Sequence, residues 1–137
     1  MTAKTQTFLL GMALLAAATT SSGSQEGFKR PSKPVMIEGG TGLDPCSNAY
    51  VKGLDPNGDG WLAVKAAPDI KSKRIDKIHN GQEVFVCAER GDWLGVVYIK
   101  GDFEPCGVTT DWRETAPYTG PCSSGWAHRK FIEIYAG

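Results

Sequence analysis

Short β-prone segments recur from residue 49 to the C-terminus, each closed by turn formers, and this spacing constrains the fold more than any other feature of the 137-residue chain. Ala49, Tyr50 and Val51 precede the turn-rich stretch GLDPNGDG at 53–60. WLAVK at 61–65 alternates and stops before Ala67-Pro68-Asp69. RIDKI at 74–78 runs into Asn80-Gly81, the strongest hairpin signal in the chain, and EVFVCAE at 83–89 turns back at Arg90-Gly91-Asp92. WLGVVYI at 93–99 is the longest β-prone run, and GWAH at 125–128 and FIEIY at 131–135 close the chain. No helical period persists over three turns. The 17 glycines and 8 prolines suit strands joined by turns, so the expected class is all-β, a small barrel or sandwich.

The N-terminus has a different character. Lys4 precedes an apolar run at 8–18, FLLGMALLAAA, which small residues follow. A membrane-spanning helix needs roughly 20 apolar residues, so the run reads as a signal peptide over 1–24, cleaved between about 18 and 24. No cysteine lies beside that site to carry a lipid anchor. Residues 25–44 are rich in Ser, Gly and Pro and read as a flexible lead-in to a domain at 45–137.

All four cysteines, Cys46, Cys87, Cys106 and Cys122, lie beyond the signal, as expected of an exported chain matured in an oxidising compartment. Four cysteines allow three pairings, and spacing alone does not choose among them. Cys106 and Cys122 bracket a Gly-, Pro- and Thr-rich segment that looks unable to bury itself. A bridge there closes it, which leaves Cys46 with Cys87. In the chain-entropy model such a loop is worth about 3 kcal/mol. A zinc site is disfavoured, since no C-x-x-C occurs and neither histidine neighbours a cysteine.

Taken in order, these segments resemble the bacterial SH3 domain family. The resemblance rests on Trp61-Leu62-Ala63-Val64-Lys65-Ala66-Ala67-Pro68, then the isoleucine strand at 75–78, Asn80-Gly81 and the alternating strand at 83–86. Gly91-Asp92-Trp93-Leu94-Gly95-Val96-Val97 stands for the family's Gly-x-Trp strand, and Gly125-Trp126-Ala127-His128 with Phe131-Ile132 for its closing motif. The resemblance implies a small SH3-like barrel of about five to seven short strands. The chain departs from the family in one place, a long loop insertion at 100–124 before the last strands. A loop of that length is uncommon in a compact domain unless it is functional or disordered, and a disulfide argues against disorder.

Catalytic chemistry finds little support. Asp55-Pro56-Asn57-Gly58-Asp59-Gly60 matches the first half of a calcium loop, but position 12 is Ala66 rather than a bidentate carboxylate, so a plain turn is expected. If all four cysteines are oxidised, no thiol is left as a nucleophile. Asp102, Glu104, Asp111 and Glu114 read as solvated loop acids. His79 sits just before the Asn-Gly turn and is expected to be exposed, and His128 belongs to the Gly-Trp closing motif and is expected to alternate with buried neighbours on a strand. The chain is read as no enzyme, with no cofactor and no metal.

Binding is the expected role. SH3-like barrels are too small to enclose a ligand, so recognition falls to surface aromatics, which offer flat apolar area at low entropy cost. The candidate ligand-binding residues are Trp112, flanked by Asp111 and Arg113, with Tyr118 in the insertion and Trp93 at the barrel rim. Trp61, Trp93 and Trp126 lie in strands and are expected mainly in the core or rim. The resemblance implies an exported, periplasmic or secreted module for cell-wall peptide, peptidoglycan or another exported protein. The alternative is a structural or inhibitory protein that docks its bridged loop into a partner enzyme. Formal net charge is zero, and about −1 without 1–24, so nucleic acid is not an expected partner. No membrane anchor is expected after signal removal, and a monomer is expected.

Overall fold

The computed structural model describes residues 29–101 and 105–137, together with Gly11. The expected signal peptide otherwise lies outside the described residues, as do Asp102 and Glu104. Among the described residues, no helix is long and apolar enough to cross a membrane.

The protein is all-β. Its strands are β1 (Met36–Ile37), β2 (Ser47–Val51), β3 (Trp61–Lys65), β4 (Arg74–His79), β5 (Glu83–Arg90), β6 (Trp93–Tyr98), β7 (Ala116–Pro117), β8 (Ser123–His128) and β9 (Ile132–Ala136). A single 3₁₀ turn, Arg129–Phe131, links the last two. Seven strands form one antiparallel sheet in the order β4-β3-β8-β6-β5-β2-β9, and β1 pairs with β7 in a separate ribbon.

The sheet is not a closed barrel, which corrects the expected architecture. β4 and β9 are its two edges, and β3 meets β8 through a single ladder pair, Lys65 with Trp126. Bulges at Asn48/Ala49, Val64/Lys65 and Val86/Ala88 bend it strongly instead. All seven strands therefore contribute to one apolar cluster, from Ile78 on β4 to Ile132 on β9, around Leu62, Val64, Val84, Val96 and Tyr98.

The other face of β5, β6 and β8 is also covered, and the cover is the second departure from expectation. Residues 29–44, read from sequence as a flexible lead-in, lay Val35 and Ile37 into a second cluster with Val97, Val108, Tyr118, Trp126 and three of the four half-cystines. Backbone bonds fasten the segment along its length. Lys33 N–H donates to Ala66 O (3.0 Å), Tyr118 N–H to Val35 O (2.9 Å) and Gly40 N–H to Trp112 O (2.7 Å). The Trp126 indole donates to Lys33 O (2.9 Å). A Cβ on Gly39 would overlap the Glu114 backbone, and one on Gly95 would come within 2.9 Å of Val35 and Ala88, so both glycines permit this close apposition. β6 is thus buried on both faces, which is why its sequence is a nearly continuous apolar run.

Asn80-Gly81 is not a hairpin. Gln82 N–H donates to His79 O (3.0 Å) and Gly81 alone has positive φ (79°), the pattern of a type II turn. The two strands it joins, β4 and β5, are not neighbours in the sheet. The Asn80 amide is committed elsewhere, bonding both the N–H (3.1 Å) and the carbonyl (3.0 Å) of Leu54. In the 53–60 stretch, Gly58 N–H bonds Asp55 O (3.0 Å) and Asn57 N–H bonds Asp55 Oδ1 (2.8 Å), an Asx-supported turn.

Candidate functional site

The insertion at 100–124 is closed by a disulfide. Cys106 pairs with Cys122 and Cys46 with Cys87, which leaves no free thiol and suits an oxidising, extracytoplasmic setting. Within the insertion Tyr118 is buried (4% exposed). Its hydroxyl donates to Cys106 O (2.8 Å) and accepts from Cys122 N–H (3.1 Å), so it joins the two ends of the bridge. Burial raises its phenol pKa, with the Cys122 N–H and Arg30 opposing. Tyr118, expected on a binding surface, is the interior strut of the loop. The insertion also carries β7, where a structureless loop was expected.

Trp112 has folded back. It packs half-buried against the second cluster, and its indole N–H is bonded to Gly107 O (2.8 Å). Asp111 and Arg113 beside it are exposed. The five residues singled out in the sequence therefore do not form one surface. Two are exposed, one is buried, Trp112 is engaged within the loop, and Trp93 lies on a different cleft.

That cleft, of about 410 Å³, is lined by Pro68, Asp69, Ile70, Asp92, Trp93 and His128. Trp93 and His128 face each other across β6 and β8, and their rings meet edge to face with centroids 5.4 Å apart. The imidazole is held by Lys130 N–H, which donates to His128 Nδ1 (3.1 Å). A neutral ring so held carries its proton on Nε2, as a donor. The opposite wall is the β3–β4 connection. Ser72 Oγ donates to Ala67 O (3.0 Å), Lys71 N–H bonds Asp69 Oδ1 (2.9 Å), and Lys65 Nζ reaches the carbonyls of Ile70 and Ser72 (both 3.3 Å). This turn holds Ile70 74% exposed, the most exposed large apolar side chain among the described residues.

The chain matches no family model, no curated protein and no solved structure.

In the cleft, an aromatic floor and an isolated isoleucine offer apolar contact, while Asp69, Asp92 and His128 offer polar groups at the rim. Of the residues lining this cleft, Trp93 was among the candidates singled out in the sequence, and Ile70 and His128 were not. The available signal was the Ala67-Pro68-Asp69 turn, which is polar on both sides of an isoleucine that has no strand to belong to.

Proposed function

We propose that this chain is an extracytoplasmic, non-catalytic binding module of SH3-like type that takes a peptide segment, from the cell wall or from another exported protein, into the Trp93–His128–Ile70 cleft. One observation carries the reading: a rigidly braced turn keeps Ile70 in water beside a half-buried tryptophan. An exposed isoleucine held in place by five hydrogen-bonded or capped neighbours gains nothing for the fold, but it gives a partner a preorganised apolar contact. The two acidic rim residues suit a segment bearing amide or cationic donors. The disulfides are compatible with the extracytoplasmic setting, and the SH3-like comparison rests on the order of the motifs along the sequence.

Co-sedimentation with purified peptidoglycan, wild type against Ile70→Asp, tests it. Retention of the wild type and its loss in I70D are expected. Trp112→Ala is expected to leave retention intact, because Trp112 is occupied within the insertion. Retention that survives I70D sinks the cleft assignment. Absence of retention by any form removes the wall as ligand and turns attention to an exported protein partner.

A further inference from the structure

The chain is neutral overall, yet its cations are not evenly spread. A second cleft, of about 450 Å³, is lined by Lys29, Arg74, Lys77, His79 and Lys100, with Asp76 at its base and Ile75 beside it. Four cationic side chains face a single carboxylate there, a net charge of +3 with His79 neutral.

Two structural devices create this concentration. The first is the bulge that interrupts β3–β4 pairing. Val64 is opposite Asp76 but Lys65 is opposite Arg74, so Ile75 has no partner and packs toward the first core. In an unbroken strand Arg74 would share the inward face of Asp76 and Ile78. The extra residue moves it to the face of Lys77, and both cations then lie over the Trp61 ring, Arg74 Cζ at 4.8 Å and Lys77 Nζ at 4.4 Å from its centroid. The second device is Asp76. It is buried, and it accepts hydrogen bonds from the Tyr98 hydroxyl (2.6 Å) and from Lys100. Asp76 is spent on holding Lys100 in place. Among the described residues no carboxylate pairs with Lys29, Arg74 or Lys77.

Three cations with no carboxylate partner, two of them resting on Trp61, are gathered into one cleft on a chain with no net charge, and together they raise the local potential there. We propose that this cleft is a second binding site, for a soluble ligand carrying adjacent phosphate groups. The charge density selects the chemistry. Several cations within this volume match linked phosphates better than dispersed single carboxylates, and the Arg74 fork suits bidentate phosphate recognition. The site is concave, and the exposed large apolar side chains Met36, Leu43, Ile70, Ile134 and Tyr135 all lie outside it. It therefore lacks the apolar anchor expected where a protein inserts into a lipid surface.

Calorimetric titration of the oxidised protein with tripolyphosphate, orthophosphate and citrate tests this, alongside sedimentation with vesicles of anionic phospholipid. Tripolyphosphate is expected to bind most tightly, and more weakly as salt rises. Arg74→Gln/Lys77→Gln is expected to weaken it about tenfold or more, and the charge-matched Lys52→Gln/Arg90→Gln by less than about twofold. Because the first pair also lies on Trp61, Lys29→Gln serves as a second variant that leaves that ring covered, with a smaller loss expected. Equal weakening in the charge-matched variant overturns the site, as does absence of tripolyphosphate binding. Citrate binding as tightly as tripolyphosphate overturns the phosphate assignment. Capture by vesicles without tripolyphosphate binding replaces it with a membrane surface. None of these outcomes depends on Ile70, so the peptide cleft and this one stand or fall separately.

Discussion

The two faces of the central strands are covered in opposite ways. On one face, seven strands close over aliphatic side chains that alternate along each strand, and no cysteine takes part. On the other, two short stretches from distant parts of the chain, 29–44 and the insertion, lie over Val97 and Trp126 with both disulfides among them. The first core is held by ladder hydrogen bonds and burial. The second has a two-pair ribbon, β1 with β7, and depends on cross-links to do what a ladder would otherwise do. A small domain can thus be stable by strand pairing on one side and by covalent staples on the other.

The largest test of this contrast is to remove the staple. Cys106→Ala/Cys122→Ala is expected to cost about 3 kcal/mol, and hydrogen exchange should locate the loss. Amides of 33–40 and 106–118 are expected to lose protection while β3, β5 and β6 keep theirs. Equal loss across both faces would show one cooperative unit rather than two.

A smaller effect is expected at the point of closest approach. Gly39→Ala forces the lead-in away from Glu114 and should cost about 1–3 kcal/mol, again confined to the second core.

The smallest belongs to the first core. Tyr98→Phe removes the buried bond to Asp76 and should cost about 1 kcal/mol by denaturant unfolding. Burial alone would raise the Asp76 carboxyl, but hydrogen bonds from Lys100, Tyr98 and the Lys77 backbone together outweigh it and hold its pKa below the ordinary value. The native state therefore binds that proton more weakly than the unfolded chain. Its contribution is present above the unfolded carboxylate range and is lost as pH falls through the native value. Tyr98→Phe should flatten this acid limb, since it removes one of the bonds that depress the carboxyl. Tyr98 itself is pushed upward, chiefly by burial and then by Asp76, so wild-type stability should also fall above about pH 10, where the phenol ionises in the unfolded chain first. Tyr98→Phe should abolish that alkaline component.

The first core was legible in the sequence and the second was not, for physical reasons. Trp61–Lys65 emerges as a strand with the bounds expected, because its alternation records one wet and one dry face. Trp93–Tyr98 was visible too, though nothing local said which element would cover its outer side. Val35 and Ile37 gave no usable signal. A run of three apolar residues flanked by Pro, Lys and Glu is too short to show a period, and its packing partners lie far along the chain on β5, β6 and the insertion. Asn80-Gly81 misled because a dipeptide that favours hairpins reports a turn, not which strands pair. Among the candidate binding residues, Trp93 was found as a strand aromatic at the rim. Tyr118 was misplaced because a hydroxyl that serves a buried carbonyl looks, in sequence, like one awaiting a ligand. Arg74 could not be placed with Lys77 at all, since their odd spacing puts them on opposite faces until a bulge intervenes.

The lead-in has a consequence for how the chain comes together. Val35, Met36 and Ile37 precede every strand of the main sheet, yet β1 has no partner until residues 116–117 exist, and Lys33 none on β8 until Trp126. Contacts this far apart in sequence form late. Throughout that interval three consecutive apolar residues have no ladder partner, a short segment suited to pairing with another molecule. Lys33 and Pro34 precede them, and Glu38 and Gly39 follow. A charge on either side, with a proline that cannot donate to a growing ladder and a glycine that favours none, is the composition of an aggregation gatekeeper. The same four flanking residues that make the segment look like a linker guard it while it waits.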